Sequence, residues 1–382
     1  MSIVERRARL ARRHGLVPSS RARDLADAAE RVVGLHATDP TSVYVSAHAR
    51  APTLGQADID RELYESRTVV RHLGMRRTLF VLPRDLVPVV QRACTDGVAA
   101  TIRRKLAAEV ERAGIAHNGN RWIDSVFTSV RADLADHGPS TGSQLSTRVP
   151  ILRTQLDAGT GPVSLTPRLL TLLSAEGGIV RDRPVGSWVS SQHRWMLSVD
   201  LAADAPSAAE ATIELVRRWL RSFGPAPMSD IVWWTGLGAA KVRRAVDALG
   251  VAGVELEGVE EAGLVLADDL DPEPAVESWI ALLPSLDATP MGWRQRDWFL
   301  GPHASMLFDR SGNIGPTVWS DGRVVGGWAQ RRTGEVVVRM FEDVGRRVRR
   351  AIDAEAANLV AWLGTAVVSP RFPTPLDKEL RA

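Results

Sequence analysis

A local pattern that recurs at two places constrains this chain more than its composition does. A helical run ends in Gly-Pro, a short polar turn follows, and a second helical run begins. The first copy is His137-Gly138-Pro139-Ser140-Thr141-Gly142-Ser143-Gln144-Leu145, and the second is Phe223-Gly224-Pro225-Ala226-Pro227-Met228-Ser229-Asp230-Ile231. The two Gly-Pro pairs are 86 residues apart. Each copy leads into another amphipathic helix and two short apolar stretches joined by a Gly-containing turn. Helix, turn, helix, hairpin is the plan of a winged helix, and a tandem of such units points to a surface that grips nucleic acid.

The charge balance is consistent with that surface without requiring it. The net charge is +3, and of the 48 basic residues only Lys105, Lys241 and Lys378 are lysines. Arginine pairs bidentately with phosphate and stacks on bases; a GC-rich genome produces the same bias. One cysteine, Cys94, rules out a disulfide framework within the chain and a cysteine-based zinc site, and reads as a core residue. The eight His show no metal-ligand spacing, so no metal or cofactor is expected. No stretch approaches the roughly 18 apolar residues that span a bilayer, and no apolar signal core follows Met1. A cytoplasmic, nucleoid-associated monomer is expected.

The periodicity predicts helices at 22–35, from Pro40 to about Arg50, and at 57–66, followed by strands at 69–73 and 78–82. This is a third winged-helix candidate without the Gly-Pro marker. A long helical stretch over 83–113 follows. The second unit has helices at 123–136, 141–149 and 167–176, with wing strands at 179–183 and 188–190. The third has helices at 208–223, 228–235 and 239–249, with strands at 254–256 and 264–266. Residues 279–340 alternate apolar and polar with Gly at turns, which reads as a small barrel-like β structure before a closing helix at 342–363. The expected domains are therefore 1–120, 121–206, 207–275 and 276–382. All 12 Trp lie at or after Trp122, and those in the β region read as core rather than as base-stacking platforms.

The break at His36-Ala37-Thr38-Asp39-Pro40 is the sharpest candidate for chemistry. A histidine can take or position a proton at neutral pH, and Asp39 brings a carboxylate beside it. The same residues also read as a capped helix start, with Asp39 as N-cap and Pro40 as first helical residue. Phosphate contacts are expected of Arg67, Arg71, Arg76 and Arg77 around the first hairpin, of Arg181, Arg183, His193 and Arg194 around the second wing, and of Lys241, Arg243 and Arg244 on the last helix of the third unit. A solvated face is the other reading of each cluster.

Several stretches together resemble the YcaQ/AlkZ-like family of winged-helix DNA glycosylases. They are Gly34-Leu35-His36-Ala37-Thr38-Asp39-Pro40 with Tyr44-Val45-Ser46, Met75-Arg76-Arg77-Thr78-Leu79, Leu283-Pro284-Ser285-Leu286-Asp287, Arg294-Gln295-Arg296-Asp297-Trp298, and Arg371-Phe372-Pro373-Thr374-Pro375-Leu376. The resemblance implies an α+β fold of three tandem winged helices on helical scaffolds, closed by a C-terminal β domain. It also implies hydrolysis of the N-glycosidic bond of alkylated bases in double-stranded DNA, and in some members the unhooking of interstrand crosslinks. The family's catalytic motif, Gln-apolar-Gln or Gln-apolar-Asp, falls on His36, Ala37 and Thr38, so this chain departs at both polar places. On this reading His36 activates water, Thr38 holds it, and Asp39 is the adjacent carboxylate. The substrate is a cationic alkylated purine, whose positive charge already makes it a good leaving group. The alternative functions are a non-catalytic DNA-binding protein, as lesion sensor or regulator, and a protein–protein scaffold.

Overall fold

The computed structural model describes residues 1–157, 161–198 and 205–382. The fold is mixed α+β. Helices α1 (Ile3–Arg13) and α2 (Leu25–Glu30) lead to a two-residue strand, β1 (Leu35–His36). Helices α3 (Pro40–Arg50) and α4 (Gln56–Tyr64) and the hairpin β2 (Val69–Leu73) and β3 (Leu79–Pro83) follow. Next come α5 (Leu86–Val90), α6 (Asp96–Arg112), α7 (Gly119–His137), β4 (Ser140–Thr141) and α8 (Gly142–Arg148). The paired strands β5 (Gln155–Asp157) and β6 (Pro162–Ser164) precede α9 (Thr166–Ala175), β7 (Ile179–Pro184) and β8 (His193–Leu197). A further stretch holds α10 (Ala208–Phe223), β9 (Ala226–Pro227), α11 (Met228–Thr235), α12 (Ala239–Leu249), β10 (Ala252–Leu256) and β11 (Val259–Val265). The last part contains β12 (Ile280–Leu283), α13 (Asp297–Leu300), α14 (Ala304–Leu307), β13 (Thr317–Ser320), β14 (Arg323–Gln330), β15 (Val336–Met340), α15 (Gly345–Leu363) and α16 (Pro375–Arg381).

Three sheets share one plan, with strand orders β1-β3-β2, β4-β8-β7 and β9-β11-β10. In each, a two-residue strand pairs antiparallel with the last strand of a later hairpin. The Gly-Pro pairs deliver the chain into two of these strands. Gly138 caps α7 at φ 69°, a conformation cheap only for glycine, and β4 begins two residues on. Gly224 donates to Leu220 O at 2.8 Å at the end of α10, and β9 begins two residues on.

Several of these expectations are corrected. The helix read at 22–35 is only α2, because the chain turns after Glu30 and enters β1. The second wing strand is β8 rather than 188–190, because Trp188 lies in the turn between β7 and β8, whose pairing shifts register between Arg181 and Pro184. The barrel-like C-terminal structure is an open antiparallel sheet in the order β12-β13-β14-β15, whose outer strands do not meet. Residues 284–316, read as alternating strand, instead form turns and the short helices α13 and α14. The helix read at 83–113 is interrupted by a π turn at Gln91–Thr95, where Thr95 Oγ1 donates to Leu73 O at 2.6 Å.

The chain packs as two units. One comprises Met1–Val70, Phe80–Arg84 and Thr212–Ala382, and the other Arg71–Leu79 and Asp85–Ala211. The second unit's core is α6 and α7 against α9 and β7, through Leu106, Val110, Ile123, Phe127, Leu169, Leu173 and Ile179. Gly119 opens α7 where a Cβ would lie 2.3 Å from Ala107 O, so only glycine permits that approach. The first unit holds a run of aromatic rings from Trp219 and Phe223 through Trp293 and Trp298 to Phe299 and Trp319, with successive centroids within 6 Å. The indole N–H groups of Trp293, Trp319 and Trp328 each donate to an internal acceptor, which makes these Trp core residues. Among the described residues no helix is long and apolar enough to cross a membrane.

Candidate functional site

The His36–Asp39 segment is fixed from both sides within the first unit. Gly34 adopts φ 146°, and a Cβ there would lie 2.7 Å from Leu82 Cδ2, so glycine admits the chain to the edge of β3. His36 then pairs in register with Phe80, and its ring lies 5.3 Å from the Phe80 ring, which in turn lies 6.2 Å from Trp234. His36 is 6% exposed, so it does not project freely from a turn as its sequence context suggested. Ala37 is buried and Thr38 half-buried. The Thr38 hydroxyl is itself buried and hydrogen-bonds to nothing among the described residues. A buried hydroxyl left so costs free energy until a small polar molecule pairs with it.

Asp39 does what a cap does. Its Oδ1 accepts from Thr41 N at 3.0 Å and from Thr41 Oγ1 at 2.7 Å, and its Oδ2 accepts from Arg371 N at 2.9 Å. The carboxylate is 2% exposed, and these three bonds occupy both oxygens. Pro40 follows at the first helical position of α3, where its missing N–H costs nothing.

The expected phosphate-binding residues divide between the two units. In the second, Arg71, Arg181 and His193 come together. Burial, with the nearby charges of Arg181 and Arg71, pushes the His193 imidazole down to about 4 against the raising effect of its bond to Ser191 O. His193 is therefore neutral at pH 7 and brings no charge to a phosphate. The Arg181 guanidinium lies 5.5 Å from the Trp195 ring centre, and His193 meets the same ring edge-on at 4.8 Å. Arg71 is 6% exposed, which withdraws it from any outward face. Arg183 and Arg194 are half-buried on β7 and β8. The turn between β2 and β3 holds half-buried Arg76 and exposed Arg77 in left-handed conformation, at φ 51° and 59°. In the first unit, Arg67 is half-buried at the entry to β2, also at φ 51°. On α12, Val242, Ala245 and Val246 are buried, while Arg243 and Arg244 are exposed and Lys241 half-exposed.

Sequence reasoning missed two groups that frame the His36 segment. Arg50, at the end of α3, forms a two-pronged ion pair with Asp287 at 2.8 and 2.9 Å, and neither side chain is exposed. Ser46 Oγ donates to Asp287 at 2.5 Å, and Thr289 N donates to it at 2.9 Å. Burial pushes the Asp287 carboxyl up, but Arg50 and these hydrogen bonds outweigh it and hold the group below the usual carboxylate range. The Asp287–Arg50 pair thus ties α3, which starts at the candidate turn, to the loop after β12. The second group is Arg371, whose backbone caps Asp39 and whose guanidinium reaches Thr38 O at 3.4 Å. Asp287 lies 237 residues from Arg50 in the chain, and Arg371 lies 332 residues from Asp39, so no local pattern announces either. Among the described residues no group of three or more His, Cys, Asp or Glu side chains is arranged to hold a metal ion.

Comparison with known proteins gives three results. The family described as DNA glycosylase AlkZ-like matches residues 29–362. The interstrand DNA cross-link repair glycosylase of Streptomyces sahachiroi is 30% identical over 174 residues, which are 44% of this chain and 47% of that protein. The match therefore spans about half the length of that relative. The solved structure of the Streptomyces sahachiroi DNA glycosylase AlkZ superposes with a TM-score of 0.74 at 22% identity, over 97% of this chain and 99% of that one. The likeness establishes a shared fold.

Proposed function

We propose, from the premise that the chain belongs to the DNA glycosylase AlkZ-like family, that it is a monofunctional glycosylase acting on alkylated, cationic purines in double-stranded DNA. The three sheets with a common strand plan are three winged helices, within domains 1–120, 121–206 and 207–275, and 276–382 is a C-terminal β-rich domain with a closing helix. Arg76, Arg77, Arg181, Arg183, Arg194, Arg243 and Arg244 supply phosphate contacts, with Arg67 and Lys241 at their margins. In the second unit, Arg71 and His193 support Arg181 from within.

In the reaction, water forms a bond to C1′ of the target sugar as the bond from C1′ to the base nitrogen breaks. The electron pair of the broken bond neutralises the cationic base, which leaves without needing a proton. The water's proton passes to the His36 imidazole and then to solvent. Thr38 holds the water through its hydroxyl. Asp39 does not react; it caps α3 and keeps the turn in place. Thr38 carries no charge with which to stabilise the developing sugar cation, so the reading is confined to bases that depart readily.

The observation that carries this reading is the Thr38 hydroxyl, buried and available beside His36 on a segment held at both ends. Incubation with a duplex containing N7-methylguanine, assayed for abasic sites, tests it. Replacing His36 with Ala should lower excision by roughly 10²–10⁴-fold, the worth of a positioned acid–base group, while leaving DNA affinity within about twofold, because a single buried side chain adds little to phosphate binding. If the wild-type chain releases no base from any alkylated duplex, the glycosylase reading fails and a non-catalytic DNA-binding role replaces it.

A further inference from the structure

We infer that Arg371 is a phosphate-binding residue built into the candidate site, gripping the DNA backbone beside the target nucleotide; this rests on the reading of the His36–Thr38 segment as the place where DNA is engaged. The stretch that carries Arg371 is neither helix nor strand, yet it is tied down along its length. Gln330 Nε2 donates to Ala366 O at 3.1 Å and Gln330 Oε1 accepts from Val368 N at 2.8 Å. Arg381 donates to Val368 O at 2.8 Å. Arg371 N donates to Asp39 Oδ2 at 2.9 Å, and Thr374 Oγ1 caps α16 by accepting from Asp377 N at 3.3 Å. Pro370 and Pro373 flank Arg371 and restrict the backbone further.

On this rigid segment the side chain itself is left exposed. Its one hydrogen bond among the described residues, from Nη1 to Thr38 O, is long at 3.4 Å, and its guanidinium lies 5.8 Å from the Phe372 ring centre. It forms no ion pair among the described residues, whereas exposed Arg61, Arg92 and Arg349 are each paired with a carboxylate. An arginine presents five N–H donors in a planar fork suited to a phosphodiester. Most of that fork is uncommitted here. The anchored backbone means that little backbone entropy remains to be lost when the fork closes on a phosphate, leaving only the side chain's rotamer cost. A cation so placed sets the distance between the DNA backbone and the Thr38 hydroxyl. It is a positioning residue, not a catalytic one.

The rival explanation is that Arg371 only staples the Asp39 turn. The two are separable because the bond to Asp39 comes from the backbone N–H, which any residue but proline retains. The test uses the full chain and a duplex carrying a tetrahydrofuran abasic analogue, with binding measured by fluorescence anisotropy across a salt series. Arg371→Ala should weaken binding roughly fivefold at low salt and reduce the log–log salt slope by about one. Arg371→Lys should keep the wild-type slope, and the thermal midpoint of both variants should stay within about 2 °C of wild type. A wild-type slope in Arg371→Ala overturns the inference, as does a slope lost equally in Arg371→Lys. A wild-type chain that binds this duplex but releases no base from the N7-methylguanine duplex sinks the glycosylase reading and leaves this one to be judged by the slope. A chain that does not bind duplex at all sinks both.

Discussion

Burying Arg50 and Asp287 with no exposure costs each charge its hydration, and the structure repays most of that cost locally. Asp287 receives four hydrogen bonds, two from Arg50 and one each from Ser46 and Thr289, while Arg50 also donates to Ser46 O and Thr289 Oγ1. Only Arg50 Nε is left without a partner. Leu286 takes φ 58°, an uncommon conformation for a branched residue, as the loop turns to present Asp287. Removing either partner strands the other as an uncompensated buried charge, so Arg50→Ala and Asp287→Ala should each cost about 3–5 kcal/mol in urea unfolding. The double variant Arg50→Met/Asp287→Leu should cost less than either single change; a double variant as damaging as the two combined would show that the pair is not one energetic unit. Asp39 illustrates the opposite case at the same scale. Its capping role was readable from Asp-Pro before an apolar run, because a cap is a contact with residues two or three positions away. The Asp287 role was not, because its partner is set by the packing of distant segments. His36 falls between the two: its presence at the break was visible, but its burial depends on β3, which closes over it only in the folded chain.

Elements bounded by strong local signals were read to the residue. Helices α10, α11 and α12 match the boundaries expected from their apolar period and from Gly224, Gly236 and Gly250, the last two at φ 70° and 61° as left-handed C-caps. Elements that depend on pairing were read less well. Strand β8 was placed too early, the two-residue strands β1, β4 and β9 were not foreseen, and the C-terminal sheet was read as closed. A two-residue strand has no period of its own; it exists only because the last strand of a hairpin lies beside it. The β2–β3 turn carries its own information. Arg76 and Arg77 both hold left-handed backbone, where glycine or asparagine would be cheaper. Under the proposed function, these two side chains carry the hairpin's contact with DNA phosphates. Arg77→Gly should therefore leave stability within about 1 kcal/mol of wild type, since the relief of left-handed strain offsets glycine's greater unfolded-state freedom. The same change should reduce the salt slope of DNA binding by about one. An unchanged slope would assign Arg77 to a solvated turn.

For the molecule as a whole, buried histidines set how stability responds to acid. Burial pushes His14 down to about 3, with Arg50 adding to the effect, and pushes His48 and His72 down to about 4. His193 is likewise pushed down to about 4. Each is neutral in the folded chain at pH 5 and has an ordinary value near 6.5 when unfolded. Between those limits the unfolded state binds more protons, so stability falls as pH falls through that window. Asp230 works against them. Burial raises its carboxyl to about 6 from an ordinary 3.8, despite bonds from Arg294 N and Gln295 N and the nearby charge of Arg6, so the folded chain binds more protons there and gains stability on mild acidification. The histidines outnumber it. They also fall in both packing units, His14 and His48 in one and His72 and His193 in the other. The histidine effect therefore outweighs that of Asp230, and lowering pH from 7 to 5 should lower the thermal midpoint by roughly 10 °C, whether the units melt together or apart. Differential scanning calorimetry across that range measures it directly. Asp230→Asn removes the opposing group while an amide oxygen can still accept from the two backbone N–H groups, so its melting should fall more steeply with acid than wild type. A midpoint that is flat or rising from pH 7 to 5 in the wild-type chain would mean that the histidines protonate without unfolding it. A slope in Asp230→Asn no steeper than wild type would mean that the buried carboxylate is not the counterweight.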